Sequence, residues 1–180
     1  MKKIAFFALT ICACTAAAQI SPFARTSYVQ RGTLSERGRG ELGITAMVFA
    51  KPGGEAALQL ETSNAVMAKI LLDENGNPKL AKGGPLFSER TVKKYVLPAF
   101  RAILMERGSY LKAELDAEGR PVKLVCDGFE IRFGNYAMKA GPFPIPEFTA
   151  ICADEFSLVL RTVSAKRTDF AGKAKDRSKD

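Results

Sequence analysis

Few residues in this 180-residue chain could carry chemistry, and their types narrow it further. There is no His and no Trp, which removes the Ser-His-Asp and Cys-His nucleophilic arrangements and every His-containing zinc site. Carboxylates stand at Asp73, Glu74, Asp116, Glu118, Asp127, Asp154 and Glu155, all in turn-like segments. A general acid and base would need two such groups in one pocket with separated pKa values, and no spacing here argues for that. No catalytic residue, metal ligand or cofactor is expected, and the chain does not read as an enzyme. Gly38-Arg39-Gly40-Glu41-Leu42-Gly43 spells GxGxxG, but that pattern cradles a pyrophosphate only between a buried strand and a helix. Here polar residues precede it and the β-forming run Ile44-Thr45-Ala46-Met47-Val48 follows, so it reads as a hairpin loop.

The four Cys divide into two pairs. Cys12 and Cys14 lie in an N-terminal segment where Lys2 and Lys3 precede an apolar stretch, Ile4 to Ile11, and then small residues from Ala13 to Ala18. That is the pattern of a secretory signal over residues 1–18. It implies an exported protein in the periplasm or on the periplasmic face of the outer membrane. Ala16-Ala17-Ala18 before Gln19 suits ordinary cleavage, whereas Ile11-Cys12-Ala13-Cys14 partly matches a lipoprotein box that would acylate Cys14; both remain open. No later stretch approaches the roughly 18 to 20 apolar residues of a membrane span. The net charge is +8, still strongly basic without Lys2 and Lys3. Export turns that charge toward an anionic membrane surface or acidic proteins, with no nucleic acid as partner.

The elements that would position these residues read as strands, one helical segment, then strands again. Strand-like runs cover Tyr28 to Leu34, Ile44 to Ala50, Ala57 to Glu61 and Val66 to Leu72, separated by turn chemistry at Pro52-Gly53-Gly54 and Asn75-Gly76-Asn77-Pro78. Ser88 is a good N-cap. After it, Val92, Tyr95, Val96, Ala99, Phe100, Ile103 and Leu104 form one apolar stripe, with Lys93, Lys94, Arg101 and Glu106 outside it. Pro98 predicts a kink and Gly108 the stop. Asp127-Gly128 predicts a two-residue hairpin turn that sets Cys126 opposite Phe129, Leu124 opposite Ile131 and Val122 opposite Phe133, all on one face. Phe148 to Cys152 and Phe156 to Val163 continue the meander past the stiff Gly141-Pro142-Phe143-Pro144-Ile145-Pro146.

An oxidising compartment suggests a disulfide for Cys126 and Cys152. The meander argues against it. The strand Phe129 to Phe133 lies between them, placing their backbones about 9 to 10 Å apart, where a disulfide needs roughly 7 Å or less. The domain is expected over residues 19–163, followed at 164–180 by a basic tail too poor in apolar residues to offset its ordering entropy.

Asp127-Gly128-Phe129-Glu130-Ile131-Arg132-Phe133-Gly134-Asn135-Tyr136, followed by Ile145-Pro146 and two alternating strands, resembles the C-terminal half of the LolB family of outer-membrane lipoprotein receptors. The order of the first half is similar too, so the resemblance spans about Tyr28 to Thr162. It implies a mainly β (α+β) LolA/LolB-like fold: a strongly curved antiparallel half-barrel sheet with a helical lid over an apolar cavity. The implied ligands are lipoprotein acyl chains or other lipid, and the implied partner a periplasmic LolA-like carrier, with no cofactor. The cavity candidates are Leu58, Leu60, Ile70, Leu72, Val96, Phe100, Leu104, Leu124, Ile131, Phe133 and Leu158, each of which could equally be core. LolB also presents an exposed Leu on a loop between two strands. The matching Thr62-Ser63-Asn64-Ala65 has no large apolar residue, leaving Val66 and Met67 as the candidates for membrane insertion. The alternative is an envelope interaction module with a filled core; cavity volume separates the two.

Overall fold

The computed structural model describes residues 23, 26–38, 40–51, 54–63, 65–106, 108–140 and 143–167. The expected signal segment with Cys14, Gly141-Pro142 and the residues beyond 167 lie outside the described residues. Ten strands form one open, curved, wholly antiparallel sheet. The first five are β1 (Thr26–Glu36), β2 (Gly40–Ala50), β3 (Ala56–Glu61), β4 (Val66–Leu72) and β5 (Pro78–Gly83). After the helical segment come β6 (Lys112–Leu115), β7 (Pro121–Cys126) and β8 (Phe129–Gly134). A small two-stranded excursion, β9 (Met138–Ala140) with β10 (Phe143–Ile145), precedes β11 (Phe148–Ala153) and β12 (Phe156–Arg167). The order across the large sheet is β5-β4-β3-β2-β1-β12-β11-β8-β7-β6. Two meanders therefore meet where the first strand pairs with the last. The fold is the curved antiparallel sheet with a helical cover that the sequence led us to expect.

Inward and outward residues alternate along every long strand. In β1 and β2, Tyr28, Gln30 and Leu34 and then Ile44, Ala46 and Val48 are buried, while Arg31, Thr33 and Glu41 face water. Gly32 breaks the pattern for a steric reason. A Cβ there would sit 1.8 Å from the Val159 carbonyl oxygen, so only glycine lets β1 approach β12 this closely.

β5 and β6 are strands that the hydrophobic pattern does not announce. Each belongs to a hairpin built on the same turn, Asp73-Glu74-Asn75-Gly76-Asn77-Pro78 and Asp116-Ala117-Glu118-Gly119-Arg120-Pro121. In the first, Asp73 Oδ1 accepts from the N–H groups of Asn75 (2.9 Å) and Asn77 (2.8 Å). In the second, Asp116 Oδ1 accepts from Glu118 (3.0 Å) and Arg120 (2.8 Å). Both glycines have φ of 77°, which few other residues adopt cheaply. The Pro opens the return strand in both cases.

The helical segment is three short pieces: α1 (Glu89–Thr91), a π turn (Val92–Val96) and α2 (Leu97–Ile103). Ser88 caps it as expected, its side chain accepting from Thr91 N–H. Pro98 has a different effect from the expected kink. In an unbroken α-helix its ring would collide with the Lys94 carbonyl; instead the preceding turn widens, and Leu97 N–H reaches back to the Val92 carbonyl. The helix also stops earlier than Gly108. Met105, at φ 58°, donates to the Ala102 carbonyl and Glu106 to that of Arg101, a Schellman closure without glycine. Glu106 then turns its carboxylate onto Arg101 Nε at 2.6 Å.

The tail boundary needs correction as well. β12 runs to Arg167, with Ala165 opposite Tyr28 and Lys166 opposite Ser27, so the domain extends beyond residue 163. Backbone pairing and the inward Ala165 hold these residues, which a count of large apolar side chains overlooks. Cys126 and Cys152 are both free, with β8 between β7 and β11 as the meander required.

Candidate functional site

The inward face of the sheet is covered in two places. Over one part lies the helical segment, held by Tyr95, whose ring stacks on Phe156 with centroids 5.6 Å apart, and by Phe87, edge-on to the same ring at 6.3 Å. Over the other lie the β9–β10 excursion, through fully buried Ile145, and Phe23, fully buried against Tyr28 (4.4 Å) and near Phe133 (6.2 Å).

Between the helical cover and the sheet remains a small void of ≈ 30 Å³. Val96, Phe100 and Ile103 form its roof, and its floor comes from strands on both sides of the β1–β12 seam, among them Ala46, Val48, Leu58, Leu60, Leu158 and Leu160. Its one amide is Gln30, buried in the floor. Gln30 Nε2 donates to Thr149 Oγ1 (3.2 Å) and Thr162 Oγ1 (3.1 Å), and Thr162 Oγ1 donates to the Pro146 carbonyl (2.8 Å). A buried amide is tolerable only because it is bonded. Tyr28, also lining the void, has its phenol held protonated well above its usual range by burial. At the C-terminal end of the cover an open groove of ≈ 420 Å³ runs between Leu104 and Glu106 on one side and Ala50, Ala56, Leu72 and the Asn75-Gly76 turn on the other.

Of the apolar candidates, Leu58, Leu60, Val96, Phe100 and Leu158 meet at the void. Leu72 and Leu104 line the end groove. Ile70, Leu124, Ile131 and Phe133 are buried elsewhere in the core. Sequence reasoning missed Gln30, Tyr28, Ile103 and Phe23. Gln30 had a detectable signal, a polar residue in phase with the inward positions Tyr28 and Leu34. Phe23 had none, since it precedes the first regular element.

Val66 is 42% exposed at the start of β4, but Met67 is 1% exposed and belongs to the core. Met67 therefore drops out as an insertion residue, because β4 turns its side chain inward. Among the described residues no group of three Cys, Asp or Glu could hold a metal, and no helix is long and apolar enough to cross a membrane. Burial raises the Cys126 thiol to about 11, leaving it protonated and unreactive at neutral pH.

No protein-family model matches the sequence, and no curated protein matches it. One solved structure, from Vibrio parahaemolyticus and described as an outer membrane lipoprotein-sorting protein domain, superposes with a TM-score of 0.45 and 13% identity. The match covers 87% of this chain and 90% of that one.

Proposed function

We propose that this chain is an exported carrier or receptor for acyl chains, of LolA/LolB type, which takes its ligand between the helical cover and the sheet. The observation that carries the reading is the interface itself. Cover and floor are apolar on both sides, meet around a void rather than interlocking completely, and end in an open groove under Leu104. Opening the cover would expose a continuous apolar surface to a lipid tail, broken in the floor only by Gln30, whose two amide N–H groups are already taken by Thr149 and Thr162. The export signal in the sequence supports an envelope location, where lipoprotein acyl chains are the matching ligand class.

The void's volume favours a second reading. About one water molecule fits such a space, so with the cover closed the interior is that of a filled core, as an interaction module without carrier activity would have. A fluorescent long-chain fatty-acyl probe distinguishes them. Saturable binding, weakened in a folded Phe100→Asp variant, supports the carrier. Absence of binding by the wild type, or equal binding by the variant, overturns it. Native mass spectrometry for co-purified lipid is an independent check.

A further inference from the structure

The outer face of the sheet, opposite the helical cover, carries three cross-strand pairs of like charge: Lys123 opposite Arg132, Arg31 opposite Arg161, and Lys69 opposite Lys82. Side chains directly opposite on antiparallel strands lie about 5 Å apart, and like charges there destabilise the sheet. The first pair is neutralised internally, since Glu130 reaches Lys123 at 2.7 Å and also holds Arg132. The other two have no counter-ion among the described residues. Arg31, Arg161, Lys69 and Lys82 are exposed and make no ion pair among the described residues. Among the described residues the acids on this face are Glu41, Glu61, Glu114 and Glu130; Glu130 is taken by Lys123 and Arg132, Glu114 lies opposite Lys123 and reaches Lys112, and Glu61 accepts from Gln59.

Between the two unneutralised pairs lies a groove of ≈ 610 Å³, floored by Val29, Met47, Phe49 and Ala57 and rimmed by Lys69 and Lys166. Phe148, Val159 and Val163, at 37%, 36% and 52% exposure, surround Arg161. Cations flanking an apolar floor match an interface of phosphates above acyl chains. We propose that this outer face docks on an anionic phospholipid bilayer, the arginine and lysine pairs taking lipid phosphates and the groove and exposed side chains resting at the acyl boundary. The proposal uses the face away from the helical cover and does not rest on the carrier reading.

The test is co-sedimentation of the full chain with phosphatidylglycerol/phosphatidylcholine vesicles and with phosphatidylcholine alone. Arg31→Glu with Lys82→Glu turns both like-charge pairs into opposite-charge pairs. The expected result is a double signature: anionic-vesicle affinity falls about tenfold or more while the melting temperature holds or rises. Arg90→Glu with Lys93→Glu, both exposed on the helical cover and so away from this face, makes the same change in net charge and is expected to leave most of the binding. Equal binding by the outer-face variant overturns the proposal, as does an equal loss in the control, which would assign the effect to net charge. Soluble polyglutamate binding more tightly than vesicles would point to an acidic protein partner and also overturn it. Acyl-probe binding under the cover is expected to be unchanged in the outer-face variant, so either proposal can fail alone.

Discussion

Asp73 and Asp116 show how much one side chain can organise. Each accepts two backbone N–H groups across its turn and fixes where the return strand begins. Around Asp116, burial works against the ionised carboxyl, yet hydrogen bonds from the Arg120 backbone and side chain prevail and hold its pKa below the usual value. A carboxyl lowered by folding stabilises the protein above its unfolded pKa, and that contribution is lost as pH falls through the folded one. Asp116→Ala is therefore expected to melt lower than the wild type at neutral pH, with the gap narrowing below about pH 4. Asp116→Asn, which keeps the accepting oxygen, should lose less. Thermal denaturation across pH checks both. Gly32→Ala is expected to be among the most damaging small substitutions, costing about 1 to 3 kcal/mol in a denaturant titration, because its Cβ meets backbone and not a movable side chain. Neither position stands out by hydrophobic pattern. The repeated D-x-x-G-x-P turn was nevertheless present in the sequence, and recognising it would have disclosed β5 and β6.

Elements with strong alternation were legible, and elements held by other means were not. β3, β4 and the Asp127-Gly128 hairpin lie where period-two burial put them, because one face of each packs on the core. β5 and β6, at the sheet's two edges, bury little and leave only a faint pattern. The helical cover was visible from its stripe and N-cap, but its π turn depends on how Pro98 shares space with the turn before it. Since that turn already accommodates the missing N–H, Pro98→Ala is expected to leave the melting temperature unchanged or slightly higher, and circular dichroism should show no loss of helix. Among the site residues, the apolar roof and floor were legible because they follow strand and helix periods. Which of them meet at the void was not, since it depends on how far each strand carries its side chains past the β1–β12 seam.

For the molecule as a whole, the seam between β1 and β12 makes two five-strand meanders into one sheet. Residues 164 to 167 belong to that seam. Truncation after Arg167 is accordingly expected to leave the melting temperature nearly unchanged, whereas truncation after Val163 removes the partners of Thr26 to Val29 and should lower it measurably. The same seam sets an order of events in time. Its pairing has the longest sequence separation in the fold, and such contacts form slowly. If the chain is exported N-terminus first, as the sequence leads us to expect, β1 arrives with one edge bare and keeps it bare until the last strand has emerged. The curved sheet cannot close during translocation, and a chain stalled before β12 would present an open strand edge to whatever chaperone or neighbouring chain stands nearby.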